Sequence, residues 1–369
     1  MPYSLTHVAQ TATNSQLVNH TARGTCTDGT YIYKSNAYFN PAQSLPNSGW
    51  IFAYTLENDV LTEVGSTNFY ARYRTRGIDT DGSFIYTTQD DKVLAYTFSV
   101  ASGFTLVASG TGLDESSLNH STEGQIICRG GYIFVLDDYG PSVWSYPGSG
   151  SLINLNSYMR VDADMGGRPC VWGTSPMYMC FFDNMEYTLN KALRVVAFDG
   201  SSLTDSGSYT VPTSNVGWGS TVPLIYHSGY IHMLRPWSHT TSHLVALAYS
   251  GGAITAIASG ILTFPYDNVD EALGLYSDGT YIYTGKSVNW GPKKLYINVF
   301  EFTGSGYTQI TNLLNAGYAG LAGNGRYLYT MGSVDNDYSL NVCKMILSAH
   351  ITADPVIGPA PLTVNFSIT

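Results

Sequence analysis

The pattern of apolar and polar positions is built from one recurring word. The stretch TDGTYIYKS (27–35) returns as TDGSFIYTT (80–88) and as SDGTYIYTG (277–285). An Asp-Gly pair between apolar runs predicts a two-residue hairpin, because such a turn needs positive φ and glycine supplies it without strain. The Tyr-Ile-Tyr or Phe-Ile-Tyr that follows is β-branched and aromatic, which suits a pleated strand. Each copy therefore predicts a strand, a tight turn and a second strand.

Weaker copies fill the gaps: CRGGYIFVL (128–136), TSPMYMCFF (174–182), YHSGYIHML (226–234) and GNGRYLYTM (323–331). The turn marks are Gly29, Gly82, Gly130, Pro176, Gly229, Gly279 and Gly325, a period of about fifty residues and the period of β-propeller blades. After each word comes a second apolar run, such as WIFAYTL (50–56) or LYINVFEF (295–302), and then a half-polar run, such as LTEVGSTNF (61–69) or ITAIASGIL (254–262). That makes four strands per unit. The middle two are nearly continuously apolar, as in sheets covered on both faces, and the last alternates, as an edge strand half in water should. The seventh unit lacks its last strand, yet LTHVAQTAT (5–13), ahead of the first unit, fits that pattern. The expected architecture is all-β: a seven-bladed β-propeller of four-stranded antiparallel blades over residues 3–349, with the N-terminal strand closing the last blade and removing two open edges.

The chain resembles seven-bladed propellers in general and no named repeat family. The Gly-His and Trp-Asp pairs of WD40 repeats, the in-register Gly-Gly of kelch repeats and the Ser-x-Asp-x-Gly-x-Thr-Trp box of sialidases are all missing. The C-terminal stretch ITADPVIGPAPLTVNFSIT (351–369) resembles the opening of a PKD-type immunoglobulin-like domain through Asp354, Pro355, Gly358, Ala360–Val364 and Phe366. A whole module of that kind needs roughly 80–90 residues. Residues 350–369 are thus expected to be a linker and an incomplete PKD-like segment, or else a lone strand packing on the propeller or on a neighbouring subunit. The resemblance implies an extracellular, cell-surface or phage or viral structural setting.

Composition narrows the function classes. The net charge is −10 with 17 Lys+Arg, and no basic cluster exceeds ARYRTR (71–76), which argues against a nucleic-acid groove. No apolar run approaches the roughly 18 residues of a membrane span, so membrane insertion is not expected. The N-terminal MPYSLTHVAQ lacks the basic and apolar regions of a signal peptide. Only 12% of residues are charged, whereas Gly (38) and Tyr (29) are abundant. Surface polarity then falls to Ser, Thr, Asn and Tyr, a balance more typical of extracellular or virion proteins. The five cysteines form neither a disulfide framework nor a zinc ribbon. Cys170 and Cys180 flank a turn, either as a disulfide across the hairpin or as small buried core residues.

In a four-stranded meander the first-to-second and third-to-fourth turns share one end of the ring. The remaining connections share the other, and here they are long and rich in aromatic residues. Recognition in repeat folds commonly uses the end that collects insertions. Tyr38, Phe39, Tyr73, Trp218, Trp237 and Trp290 offer stacking surfaces for sugars or a partner protein, unless they only cap blade ends. Arg72, Arg74 and Arg76 offer guanidinium groups to an anionic glycan, or are simply solvated. His239 and His243, with His227 and His232, have a weak zinc-like spacing. Asp162 and Asp164, and the DNDY of 335–338, are weak calcium candidates beside ordinary turn chemistry. Neither a nucleophile elbow nor a phosphate-cradling loop is present, and no cofactor is expected. The leading expectation is a non-enzymatic extracellular or virion protein that binds glycan or surface protein on its long-loop face. Its rivals are a polysaccharide-active hydrolase or lyase using that face, and a purely structural subunit joined to its neighbours through 351–369.

Overall fold

The structure is a computed structural model and describes residues 3–11, 20–38, 48–70, 77–89, 91–113, 126–137, 140–158, 164–165, 168–184, 192–211, 222–238, 241–263, 273–288, 294–314, 319–332 and 339–347. Among these there are strands and turns and no helix, so none is long and apolar enough to cross a membrane. The segment with PKD-like residues, 350–369, lies outside the described residues.

The strands form seven antiparallel four-stranded blades. Blade 1 comprises His20–Thr27, Ile32–Tyr38, Ser48–Glu57 and Val60–Tyr70. Blade 2 comprises Ile78–Thr80, Ile85–Gln89, Lys92–Ser99 and Gly103–Thr111. Blade 3 comprises Ile126–Arg129, Tyr132–Asp137, Gly140–Ser145 and Ile153–Ser157. Blade 4 has Cys170–Gly173, Met177–Asn184, Ala192–Phe198 and Leu203–Thr210, with the short Asp164–Met165 also paired to its second strand. Blade 5 has Leu224–His227, Tyr230–Ser238, Thr241–Ser250 and Ala253–Thr263. Blade 6 has Leu273–Ser277, Ile282–Val288, Lys294–Phe302 and Tyr307–Leu314. Blade 7 takes Ala319–Gly323, Tyr327–Met331 and Leu340–Leu347, and its fourth strand is Tyr3–Gln10.

The core is a ring of seams. Alternate residues of each middle strand point to opposite faces, so each blade shares one apolar cluster with the blade before it and another with the blade after. Seven clusters result among the described residues. One joins Tyr33 and Ile51 of blade 1 to Ile85 and Leu94 of blade 2, and another joins Ile32 and Phe52 of blade 1 to Tyr329 and Val342 of blade 7. The third strands are buried almost throughout because both faces are covered.

Every fourth strand carries a one-residue bulge opposite the same point of its third strand. The extra residues are Val64, Val107, Leu155, Ser206, Ile257 and Ile310 in blades 1–6, and Val8 in the N-terminal strand. Tyr3–Gln10 is thus a full member of the repeat, paired from Tyr3↔Leu347 to Gln10↔Asn341. The ring is also clasped at its rim. Asp59, in the outer turn of blade 1, accepts hydrogen bonds from Tyr327 Oη at 2.8 Å and Lys344 Nζ at 3.1 Å in blade 7.

The repeated word is a side-chain-locked turn, placed one residue later than the Asp-Gly pair suggests. Asp28 N–H donates to the Tyr31 carbonyl, so Gly29 (φ +91°) and Thr30 are the central residues. Asp28 stands before them. Its Oδ1 accepts from the Thr30 and Tyr31 amides at 2.8 and 2.7 Å, and its Oδ2 accepts from Tyr33 Oη at 2.7 Å. Asp81 with Tyr86, and Asp278 with Tyr283, repeat these bonds. The word recurs because one carboxylate replaces a backbone acceptor and anchors the tyrosine of the next strand. Cys170 and Cys180 lie opposite each other across a hairpin, as free, buried thiols. The disulfide is therefore not formed, and burial raises the Cys180 thiol well above its ordinary value, as does the hydrogen bond with Cys170.

Candidate binding cleft between blades 4 and 5

Five positions after the aromatic residue of each repeated word (Tyr31, Phe84, Tyr132, Tyr178, Tyr230 and Tyr281), the apolar pattern breaks at the end of the blade bearing the long connections. The residues there are Asn36, Gln89, Asp137, Asp183, Arg235 and Lys286 in blades 1–6. All but Gln89 are buried. They stay in phase with the apolar residues facing the preceding blade, so each seam is apolar over most of its height and polar near that end.

Several of these groups meet partners within the protein. Asp137 Oδ1 accepts the Gly140 amide at 3.0 Å. Asp183, only 1% exposed, accepts Arg194 Nε at 2.7 Å, and Arg194 Nη1 reaches Asp205 Oδ2 at 3.3 Å. Lys286 donates to Ser242 Oγ of blade 5 at 3.1 Å, and burial lowers its pKa to about 8.

The seam between blades 4 and 5 is built differently. Arg235 and His243 are cross-strand partners in blade 5. Both point towards blade 4, because Met233 and Val245 on the same face pack into the cluster shared with that blade. Tyr209 of blade 4 closes the opposite side. The outer strand of blade 5 contributes Ala256 and Ser259, which stand opposite Leu247 and Val245 on the face towards blade 4, and their small side chains leave a cleft of about 500 Å³. Arg235 is 7% exposed, and burial lowers the pKa of its guanidinium while Tyr209 works in the opposite sense. Burial also lowers His243, and the positive charge of Arg235 lowers it further, so the imidazole is neutral near neutral pH. The result is one cation, one neutral imidazole, a phenol and a hydroxyl around an apolar floor. No carboxylate stands among the described residues lining it.

The propeller axis is a second polar region. Arg168 Nη1 donates to the Leu321 carbonyl of blade 7 at 3.1 Å. Asp79 of blade 2 accepts the Cys128 amide at 2.8 Å. Burial raises the Asp79 carboxyl, opposed by that amide and by Arg168. The thiols of Cys26 and Cys128 are likewise pushed up by burial, with Asp79 adding to the rise, so they stay protonated and weakly nucleophilic. This arrangement braces the inner strands against one another.

Of the residues singled out by the sequence, His243 lies in the cleft. Tyr38, Trp237 and Asp164 lie on described strands by their backbones. Phe39, Arg72, Tyr73, Arg74, Arg76, Trp218, Trp290, His239 and Asp162 lie outside the described residues. The grouping of histidines is corrected. His232 and His227 face blade 6, where His232 Nδ1 meets Tyr307 Oη at 2.7 Å and His227 Nδ1 meets Ser277 Oγ at 2.6 Å. His243 faces blade 4, so the three described imidazoles do not converge. Among the described residues no group of three or more His, Cys, Asp or Glu is placed to hold a metal. Arg235 and Tyr209 were not foreseen, although in YIHMLRPW the arginine falls in phase with Ile231 and Met233, which marks it as a buried cation.

No protein-family model matches the chain, and no curated protein matches it either. Similarity to solved structures is confined to the fold. Raptor from Chaetomium thermophilum aligns with a TM-score of 0.59 at 10% identity, over 94% of this chain and 29% of its own. The chain thus spans less than a third of that protein. Sqt1 from Saccharomyces cerevisiae aligns at 0.50 and 12% identity, over 90% of this chain and 82% of its own. A putative 6-phosphogluconolactonase from Bacteroides fragilis aligns at 0.51 and 14% identity, over 86% and 89%. These are β-propeller-like folds, as this chain is.

Proposed function

We propose that this propeller is a non-enzymatic recognition protein of an extracellular or virion setting, binding glycan or surface protein at the end that carries its long connections. The observation that carries this reading is the asymmetry of the two ends. One end is closed by short turns whose side chains are satisfied locally. The other gathers the buried polar positions, the 500 Å³ cleft and the aromatic-rich connections. A sheet scaffold that carries long connections at the end with a polar rim is suited to binding. The low charge and high Ser, Thr, Asn and Tyr content support the setting. Saturable glycan-array or cell-surface binding, without release of reducing ends from polysaccharide, is the expected result. Release of reducing ends would replace this reading with a hydrolase or lyase using the same face.

The PKD-like residues Asp354, Pro355 and Ala360–Val364 favour one further role, assembly with neighbouring subunits through 351–369. Removing residues 351–369 is expected to abolish self-association in sedimentation measurements while leaving ligand binding intact.

A further inference from the structure

We infer that Asn324 is a modification site: its side-chain amide is lost by attack of the Gly325 backbone nitrogen, which converts the residue to aspartate or isoaspartate. This goes beyond the recognition reading and does not depend on it. Asn324 and Gly325 form the turn between the first two strands of blade 7, where Asp28, Asp81 and Asp278 stand before the glycine in blades 1, 2 and 6. In those three turns both reacting groups are held. The glycine amide donates to a hydroxyl, Gly29 to Thr27 and Gly82 to Thr80 at 3.0 Å, and Gly279 to Ser277 at 3.1 Å. One carboxylate oxygen takes two turn amides, and the other takes a tyrosine hydroxyl at 2.7, 2.8 and 2.6 Å respectively.

Blade 7 is without these holds. Two residues before Gly325 stands Gly323, which has no hydroxyl to offer. No side chain fits there, because a Cβ on Gly323 would lie 2.7 Å from the Tyr327 carbonyl oxygen and 2.9 Å from the Tyr276 ring. Asn324 Oδ1 accepts from the Arg326 and Tyr327 amides at 3.2 and 2.9 Å, longer than the corresponding bonds of the aspartates. Among the described residues its Nδ2 has no hydrogen-bond partner. Asn324 and Gly325 are exposed, and a Cβ on Gly325 would meet nothing within 4 Å, so water reaches the turn and no side chain shields its amide. An ionised carboxylate repels a nucleophile and lacks a leaving group, whereas a primary amide is neutral and releases ammonia, which makes asparagine a labile residue. In the reaction, Gly325 N bonds to Asn324 Cγ, the Cγ–Nδ2 bond breaks, and the proton lost from Gly325 N leaves with Nδ2 as ammonia. Water then opens the five-membered imide at either carbonyl, breaking that carbon's bond to Gly325 N, which regains a proton while a carboxylate remains. The new negative charge arises in the hairpin that carries Tyr327, a donor to Asp59 in the clasp between blades 7 and 1.

The test is incubation of the full chain at mildly alkaline pH, with peptide mapping by mass spectrometry to follow the exchange of amide for carboxylate at Asn324. The folded chain is expected to lose this amide progressively. Asp28→Asn places the same Asn-Gly pair in blade 1, with Thr27 and Tyr33 still beside it. Its amide is expected to be lost at least about tenfold more slowly than that of Asn324, because hydrogen bonds must break before attack. Asp278→Asn gives the same comparison in blade 6 if the first variant fails to fold. In denaturant, where no turn survives, the sites are expected to convert at comparable rates. An Asn324 that stays intact in the folded chain while converting in denaturant overturns the assignment. An Asp28→Asn amide lost as fast as that of Asn324, or a difference that persists in denaturant, overturns the role given to the turn bonds and with it the reason for singling out this residue.

Discussion

The seam between blades 3 and 4 and the seam between blades 4 and 5 occupy consecutive steps of one repeat, yet they treat the same strand position in opposite ways. In the first, Asp183 meets Arg194, which also reaches Asp205, and Asp205 accepts Tyr158 Oη of blade 3. The polar group is absorbed into a network that ties the two blades together. In the second, Arg235 and His243 border a cleft whose other walls are small or apolar. A buried charge compensated by its own neighbours is a feature of stability. A cleft walled by small and apolar side chains is a feature available to a ligand. The repeat fixes where the polar layer falls, and individual substitutions decide which of the two it becomes.

The largest effect is expected in the closed seam. Arg194→Met leaves Asp183 buried without its guanidinium and should lower stability by about 3 kcal/mol, read from the denaturant midpoint. Converting both, with Asp183→Leu added, should recover most of that loss, since an apolar pair of similar volume replaces a desolvated ion pair at little cost. If the single variant is as stable as the parent, the network contributes nothing and the contrast between the seams fails.

A third seam, between blades 5 and 6, sharpens the contrast with a group that is polar but uncharged. His232 is fully buried. Its Nε2 lies 3.2 Å from the His227 carbonyl, which can only accept, so that nitrogen carries the proton and Nδ1 accepts from Tyr307 Oη. Burial chiefly, with the nearby His227 adding to it, lowers its pKa to about 4, against the bond to the His227 carbonyl. The unfolded chain binds this proton at about 6.5, so below that pH the unfolded state holds more protons than the folded one. Stability from His232 is therefore complete above pH 6.5 and lost as pH falls towards 4, by about 3 kcal/mol when the whole interval has been crossed. His232→Gln should flatten the stability curve between pH 6.5 and 4. His227, also lowered by burial and opposed in this by the charge of Asp278, will leave a residual slope. An unaltered curve in the variant would show that another group governs this range.

The ring itself was legible because its signals are local and repeated. The Asp-Gly-x-Tyr turns, the continuous third strands and the alternating fourth strands each appear within about ten residues. The missing fourth strand of the seventh unit reappears at the chain start with matching polarity. The cleft was not legible in the same way. It is made by residues of two blades, Tyr209 standing 26 positions before Arg235 and 50 before Ser259, and by the smallness of Ala256, which carries no chemistry of its own. Attention to aromatic residues in the long connections passed over Arg235, whose significance comes from its phase along a strand. His227, His232 and His243 looked like a group because they are near in sequence. The alternation of the strands sends His232 and His243 to opposite faces of one blade. The turns were located correctly, but the role of Asp28 as a side-chain acceptor, and not as a central turn residue, needed the bonds themselves.

The smallest effect concerns how the open seam is held at its other end. The outer strands of blades 1, 2, 4 and 5 meet the next blade through a glycine. In the cleft seam, Gly207 of blade 4 lies so close to Gly252 of blade 5 that an added Cβ would fall well inside contact distance of the Gly252 carbonyl oxygen. That neighbour is backbone and cannot swing aside. It is also fixed, because Ser208 and Ala253 pair across the same junction and Ser206 and Tyr249 are hydrogen-bonded across it. In the next seam, a Cβ on Gly260 would meet the Tyr307 ring at 3.2 Å, and a side chain can give by that much. Gly207→Ala is therefore expected to cost about 2 kcal/mol and Gly260→Ala less than about 1 kcal/mol, measured as shifts in thermal or denaturant unfolding. Equal costs at the two glycines would mean that blades 4 and 5 slide as readily as blades 5 and 6.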